Sequence, residues 1–438
     1  MSRSAPPDAN RYLRQPELLK KSSNLALLTP GTSRDARTRG SDGRRPVDEY
    51  RDRTPKEIEA WLQRTLNADL DEFRRNIDPL KSVELRYRAD EDPRNDPVVA
   101  EFCPGLTPPE LRKVRAVCIP TAKTDLLLRP FAETLEVTAR LSPAARAYRR
   151  KRRNAVHGIL LEAQKAIRHE GAQYWAVLDI RSFFPRMDRV WLRKALQAQG
   201  YRLGFIDRVM SLVEARVVDD RGRDVVNDIG CPPGLRISGV LANIYLRDLD
   251  ELILRKFKSR VRSWRYSDDI PLLGNKKHEL VGAVRTIQQW LSLRGHGIKG
   301  IGSGASPEYL VHSLSSRPLD VLGARLTTRG EIVMAPEKAE TFRNKVLDCA
   351  RIASALGPVI GGISQYSSTG RPGEARGRAA IDWSDVDAML EQAEQYWGPL
   401  NGPLTEEFIA GLRREVEDEG LTARPQQWMV ELLPGGTT

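Results

Sequence analysis

Cysteine is scarce in this sequence, with four residues in 438. They are Cys103, Cys118, Cys231 and Cys349, and no two of them form a C-x-x-C pair. This scattered spacing indicates neither a zinc site nor a disulfide framework, so we expect buried or incidental thiols.

Long apolar runs are also missing. No stretch of the sequence is apolar for long enough to span a bilayer, and the opening residues, MSRSAPPDANRYLRQPELLKK, lack the apolar core of a signal peptide. No basic amphipathic membrane anchor stands out either. We therefore expect a cytoplasmic protein that has no membrane partner.

Positive charge is present in excess, with 70 Lys and Arg residues against 58 Asp and Glu residues and a formal net charge of +12. Such an excess indicates a polyanionic partner, and nucleic acid is favoured over a membrane. The length, at 40% hydrophobic residues, is enough for a substantial core and for two or three domains.

The two ends of the chain differ in composition from its centre. Residues 1–56 are rich in Arg, Ser, Pro, Asp and Gly, which predicts a basic tail without regular structure that orders only on a partner. Apolar residues near helical spacing predict a helical region over 57–112 and further helices over 337–438.

The pentapeptide RYSDD, Arg265 to Asp269, places two carboxylates side by side in this basic chain. Its composition is also that of an ordinary turn. Apolar residues precede it at Val261 and Trp264 and follow it from Ile270, which predicts a β-hairpin with the acids at its tip. A divalent cation would neutralise such a pair.

Two further segments precede this hairpin. The stretch from Tyr174 to Leu178 is typical of a central strand, and Asp179 follows at its end. A Pro/Gly loop from Gly230 to Gly234 then opens a helix that reaches Leu252. With a second hairpin near Thr328, the order predicts an α+β core.

In this order the segments resemble the reverse transcriptase family. The motifs that carry the resemblance are VRAVCIPTAKTDLLLRP, AYRRKRRNAVHGI, LDIRSFF, PPGLRISGVLANIYL, YSDD and VLG. It covers about residues 112 to 337. It implies a right-hand polymerase with fingers and palm over 113–336, in which helices back an antiparallel sheet, and a helical thumb over 337–438.

The resemblance implies a catalytic set with two-metal chemistry. Asp179 and Asp268 would bridge both metals, with Asp269 as a weaker or structural neighbour and the Ile180 carbonyl as a further ligand. Hard oxygen ligands favour Mg²⁺, with Mn²⁺ as an alternative. The competing interpretation is a degenerate site.

Other roles follow from the same resemblance. Lys113 and Arg115 would bind the triphosphate, and Phe184 would lie against the ribose 2′-hydroxyl. Gly234, Ser238 and Asn243 would line the template and nucleotide pocket, and Leu322 and Gly323 would form the primer grip. Nucleic acid would be bound by a basic set: Arg146, Arg149, Arg150, Lys151, Arg152 and Arg153. The alternatives are purely structural: Phe184 would belong to the core, Leu322 and Gly323 would serve ordinary packing, and the basic residues would form a charged face in contact with solvent.

The sequence departs from the family pattern at several positions. Pro233 stands where the family usually has glutamine, and Gly239 stands where proline is common. Pro271 predicts a strand edge or a bulge in the second strand of the hairpin, because proline lacks a backbone donor. Lys299 is the only candidate for the lysine of the next motif, at a shifted place.

The resemblance implies an RNA-directed DNA polymerase of the stand-alone bacterial type, near the defence-associated and abortive-infection branch. Its partners would be a structured RNA template, a DNA product and deoxynucleoside triphosphates, and a homo-oligomer stays open. The alternatives are an untemplated or protein-primed DNA polymerase and, from another class, a non-catalytic RNA-binding scaffold.

The stretch from Arg140 to Arg153 has seven basic residues and no acid. Replacing several of Arg149–Arg153 by Gln should weaken nucleic-acid binding equally for unrelated sequences, because phosphate contacts carry no sequence information. The slope of log affinity against log salt should become shallower by roughly 0.7 to 0.9 for each phosphate that the variant no longer neutralises. An unchanged slope in a salt titration would favour the solvated face.

Overall fold

The computed structural model describes residues 8–26, 50, 52–86, 114–148, 155–219, 221–225, 230–300, 306–360 and 383–418. Of these, 8–84 and 115–317 form one compact unit, and the residues from 318 onward belong to a second. The division falls at 317/318, earlier than the boundary at 336 expected from the sequence. The fold is α+β, with two antiparallel sheets, a further sheet that contains a parallel pair between residues 80–81 and 217–218, and a helical C-terminal segment.

The described helices of the first unit lie between residues 9 and 292. They are α1 (Ala9–Leu13), α2 (Pro16–Ala26), α3 (Pro55–Asn67), α4 (Leu70–Arg75), α5 (Ala122–Thr138), α6 (Ala155–His169), α7 (Arg189–Ala198), α8 (Leu203–Val213), α9 (Ser238–Tyr245), α10 (Arg247–Phe257) and α11 (Lys277–Ser292). Most of their apolar faces meet in one core.

Two sheets complete this unit. Their strands are β1 (Leu80–Arg86), β2 (Val114–Ile119), β3 (Tyr174–Asp179), β4 (Val217–Val218), β5 (Asp224–Val225), β6 (Val261–Ser263), β7 (Asp269–Gly274) and β8 (His312–Ser313). One sheet has the order β2-β1-β4-β5 and the other β6-β7-β3-β8. Helix α11 packs against β3 and β7 of the second sheet, which is antiparallel throughout.

Helices α1 and α2 differ from the tail without regular structure that composition predicts for residues 1–56. The Asp8 side chain accepts a hydrogen bond from Asn10 N and caps α1. Leu13 and Leu19 are 2% exposed and join the core, where both helices pack against α5. A few apolar residues are enough to order this segment, because they pack against the surface of α5.

The hairpin predicted around RYSDD is confirmed, since β6 and β7 pair in antiparallel register. Of the two acids expected at its tip, Asp268 lies in the turn, whereas Asp269 is the first residue of β7. Pro271, however, lies in β7, which is a central strand rather than an edge. Its carbonyl accepts from Trp264 N at 3.1 Å, whereas proline cannot return that bond. The hydrogen bond that Pro271 cannot donate would go to Trp264, which lies just beyond Ser263, where β6 ends.

The helix expected from the Pro/Gly loop to Leu252 is two helices, α9 and α10. Leu246 separates them and serves as the C-cap of α9 and the N-cap of α10. Asp188 caps α7 as predicted, because its carboxylate accepts from Trp191 N at 2.9 Å. Within the described residues, no helix is long and apolar enough to cross a membrane.

The second unit contains a three-stranded antiparallel sheet and long helices. Its elements are β9 (Leu319–Val321), β10 (Ala324–Leu326), β11 (Ile332–Met334), α12 (Pro336–Ile360) and α13 (Trp383–Asp418). Helix α13 has a non-helical residue at Asn401, between Pro399 and Pro403. The Asn401 amide donates to Ile332 O at 3.1 Å and so ties this kink to the sheet.

Candidate active site

The carboxylates singled out in the sequence meet at one end of the β3–β7 pair. Asp179 ends β3, Asp269 begins β7, and the two residues are direct partners in the antiparallel register. The Ile180 N–H donates to the Asp268 carbonyl at 3.3 Å just beyond this pair. Because register partners in an antiparallel pair project to the same face, two distant segments supply acids to one place.

Asp268 lies in the tight turn between the strands. Tyr266 and Asp269 exchange backbone hydrogen bonds at 2.8 and 3.1 Å, which leaves Ser267 and Asp268 as the two turn residues. Ser267 has φ +60°, a conformation that two-residue hairpin turns require and that serine rarely adopts. The turn therefore presents Asp268 at the tip, next to the Asp179–Asp269 pair.

A lysine lies against this cluster. The Lys299 ammonium is 3.0 Å from Asp179 Oδ2, and the Lys299 N–H donates to Asp179 O at 2.8 Å. The segment before it is held by a bridge between Ile180 and Ile298. The Asp179 side chain is 38% exposed and that of Lys299 54%, so water screens the pair and its contribution to stability is small, about 0.2–1 kcal/mol for exposed pairs.

The donors fit a hard divalent cation. Carboxylate and carbonyl oxygens are the ligands that Mg²⁺ prefers, and Mg²⁺ commonly takes one or two carboxylates and completes its shell with water and substrate phosphates. In the part of the chain that the structure describes, no group of three or more His, Cys, Asp and Glu side chains is arranged to hold a metal ion. The acids would supply part of a coordination shell.

The Pro/Gly loop packs closely against neighbouring segments. Gly234 has φ +100°, and a Cβ there would overlap the Val117 side chain and lie 2.8 Å from the Cys118 carbonyl. The Cys118 N–H donates to Pro233 O at 2.7 Å. Only glycine allows this approach between loop and β2, so Gly234 has a structural reason for its identity.

Phe184 begins a short 3₁₀ turn five residues after Asp179, which ends β3. Its ring is partly buried and packs edge-on against Phe183 at a centroid distance of 5.4 Å. Phe183 is 2% exposed and contacts Tyr245 and His296. Of the two adjacent rings, Phe183 belongs to the core, and Phe184 keeps a surface toward solvent.

Residues 108–300 match the family model of reverse transcriptase (RNA-dependent DNA polymerase). These residues form a reverse transcriptase domain. The match includes both segments that supply the clustered acids, and also the loop at Gly234 and Lys299. No curated protein sequence matches the chain.

Solved telomerase structures are similar to the chain. Apo telomerase from Candida tropicalis, truncated from the C-terminal domain, is 12% identical with a TM-score of 0.39, and the match covers 51% of this chain and 52% of that one. Telomerase from Candida albicans with a TWJ fragment of telomeric RNA is 12% identical with a TM-score of 0.44, over 82% and 66%. The chain spans about half of the first and about two thirds of the second.

Two residues expected to line the pocket of the reverse transcriptase domain have internal partners instead. Ser238 is 3% exposed, and its hydroxyl donates to Pro232 O at 2.7 Å. Asn243 is fully buried, donates to Ala147 O at 2.8 Å and accepts from Arg265 at 3.0 Å. Ser238 therefore holds the Pro/Gly loop, and Asn243 joins helix α9 to Ala147 and Arg265.

Several other expected residues lie outside the described residues, are engaged in an ion pair, or belong to the second unit. Lys113 and Arg149–Arg153 are outside the described part, and only the backbone of Arg115 is described, in β2. Arg146 is paired with Glu162 at 2.6 Å. Leu322 and Gly323 lie in the second unit, in the tight turn between β9 and β10, both with positive φ.

Sequence reasoning missed Arg265 and His296. Arg265 belongs to RYSDD but has no role predicted from the sequence, although a charged residue between two aromatic residues in an apolar hairpin is a signal. It is fully buried. His296 is 5% exposed, and its Nε2 lies 3.0 Å from the Tyr245 hydroxyl, whereas no partner of its buried Nδ1 occurs within the described residues.

Burial lowers the pKa of His296 to about 4, and the positive charge of Arg186 adds to this effect. Arg294 also lowers it, whereas Asp188 opposes the shift. A base whose folded pKa lies below its unfolded value of about 6.5 stabilises the fold above pH 6.5. That stability is lost as the pH falls toward 4, where the imidazole must take up a proton.

We expect His296→Gln to flatten this pH dependence, because glutamine keeps a polar contact with Tyr245 and does not titrate. The free energy of unfolding of the wild-type protein should fall between pH 6.5 and 4.5 more steeply than that of the variant. Urea unfolding at a series of pH values measures both slopes. His278→Gln, at an exposed position, is the matched control, and equal slopes for all three proteins would contradict the assignment.

Proposed function

We propose that this chain is an RNA-directed DNA polymerase that extends a primer by nucleotidyl transfer at Asp179, Asp268 and Asp269. The observation that supports this most is the register of β3 and β7, which brings acids from two segments together inside a reverse transcriptase domain. A non-catalytic scaffold would have no need to pair acids from two distant segments in this way.

In this proposal Asp179 and Asp268 hold divalent cations, Mg²⁺ or Mn²⁺, with Asp269 and the Ile180 carbonyl beside them. Two such cations would lower the pKa of the primer 3′-hydroxyl and stabilise the leaving pyrophosphate. The protein's own part is to bring the acids together at one end of the β3–β7 pair. The Lys299 ammonium neutralises Asp179 when no cation is bound and must release Oδ2 when one binds.

We expect Asp268→Asn to lower nucleotide incorporation by several orders of magnitude, since the amide keeps the size of the side chain but removes a charge that the cation requires. Incorporation of labelled deoxynucleotide on a primed template measures the effect. Asp52→Asn, at an exposed position, is the control for loss of one acid. Near-normal activity of folded Asp268→Asn would refute the proposed site.

Phe184 is proposed to exclude the ribose 2′-hydroxyl, because it follows the Asp179 strand and keeps one surface toward solvent. Phe184→Val should open space beside the sugar and raise ribonucleotide incorporation relative to deoxynucleotide. A competition between the two nucleotides in one reaction gives the ratio directly. If the ratio stays at the wild-type value, Phe184 serves core packing against Phe183 instead.

The proposed template is a structured RNA encoded outside this chain. The support is the basic excess of the sequence and the reverse transcriptase domain. Purification from the native host, followed by sequencing of both the bound RNA and the DNA product, should yield one dominant RNA whose complement is the product. A product that matches no bound RNA would favour the alternative, untemplated or protein-primed synthesis.

A further inference from the structure

Arg265 precedes the turn that carries Asp268, and it is the largest of the fully buried side chains in the described residues. Its guanidinium donates to both carboxylate oxygens of Asp250, on helix α10, at 2.9 to 3.1 Å. The side chain of Asp250 is 4% exposed. A buried arginine is thus neutralised by a buried aspartate, as a charge in this environment requires.

The same guanidinium also holds the turn itself. Its Nη1 donates to the Ser267 carbonyl at 3.0 Å and to Asn243 Oδ1 at 3.0 Å. Ser267 is the turn residue with positive φ, so the bond falls on the peptide whose conformation is least favourable. Arg265 therefore joins helix α9, helix α10 and the turn through one planar group.

The backbone of Arg265 extends these connections to a further segment, at residues 144–147. Its N–H donates to Ala144 O at 2.8 Å, and its carbonyl accepts from Arg146 N at 2.8 Å. The Asn243 amide donates to Ala147 O at 2.8 Å. The chain immediately before the basic cluster Arg149–Arg153 is therefore held against the residue that precedes the acids.

We propose that Arg265 is a positioning residue, which fixes the Ser267–Asp268 turn and thereby the place of Asp268 relative to Asp179. This inference rests on the proposed nucleotidyl transfer. The reason is geometric, because a two-residue turn without further support can move by about 1 Å, and a displacement of that size costs about 10²-fold in rate. Only a guanidinium offers enough fixed donors to reach Asp250, Asn243 and Ser267 together.

The first test is Arg265→Lys, which keeps the charge beside Asp250 but has a single nitrogen that cannot hold all three partners. We expect kcat for deoxynucleotide incorporation to fall about 10²-fold while KM for the nucleotide changes little. Amide hydrogen exchange should rise in a peptide covering residues 266–270 and stay unchanged in one covering 174–178. Normal kcat in the folded variant would overturn the proposal.

The second test separates positioning from general stability. The double variant Arg265→Met with Asp250→Leu replaces the ion pair by apolar groups of similar size, which proteins often tolerate without loss of stability. We expect its thermal midpoint to recover toward the wild-type value, whereas kcat stays low and exchange at 266–270 stays fast. Recovery of both stability and kcat would show that Arg265 only contributes a buried ion pair. This variant also decides the matter if Arg265→Lys does not fold.

Glu251→Gln is the matched control, because Glu251 is the neighbour of Asp250 on α10 and pairs with Arg247 on a more exposed face. It should leave kcat and exchange at 266–270 at wild-type values. If wild-type protein incorporates no nucleotide under any template, the proposed function fails, and hydrogen exchange still tests the positioning. Unchanged exchange at 266–270 in Arg265→Lys would then refute it independently.

Discussion

The pairing of β3 with β7 is the constraint on which the candidate site depends. It places Asp179 and Asp269 side by side on one face of the sheet, and the turn adds Asp268 next to them. Like charges this close repel each other, so the cluster needs positive charge nearby. Lys299 supplies some of it at the surface, and a divalent cation would supply more, because the charge of the buried Arg265 guanidinium is already balanced by Asp250.

Hydrogen bonds from buried polar side chains also fix the geometry of the first unit. Buried polar side chains make hydrogen bonds that join separate segments: Ser238 to the Pro/Gly loop, Asn243 to the chain at Ala147, and Arg265 to the turn. Satisfied polar networks of this kind specify one arrangement, because each unmade bond inside the core is costly. All of these bonds lie within the first unit.

Much of the local structure was predictable because its causes lie within a few residues. Apolar runs marked β3 and both strands of the hairpin, and Asp188 marked the start of α7 as a helix cap. The helices α1 and α2 were not predicted, since their stability comes from packing against α5 rather than from their composition. The place of Pro271 in a central strand was also unpredictable, because it depends on where β6 ends.

The sequence by itself determined the order of the motifs, the hairpin that carries two adjacent acids, and the oxygen donors suited to a hard cation. Tertiary structure alone decided which partners those residues have: that Lys299 reaches Asp179, that Asn243 is enclosed rather than exposed to a pocket, and that Arg265 joins Asp250 to the turn. The physical reason is the separation along the chain over which each kind of interaction acts. Strand and turn preferences act between neighbours, whereas burying a charge or a polar group requires a partner that another segment must bring.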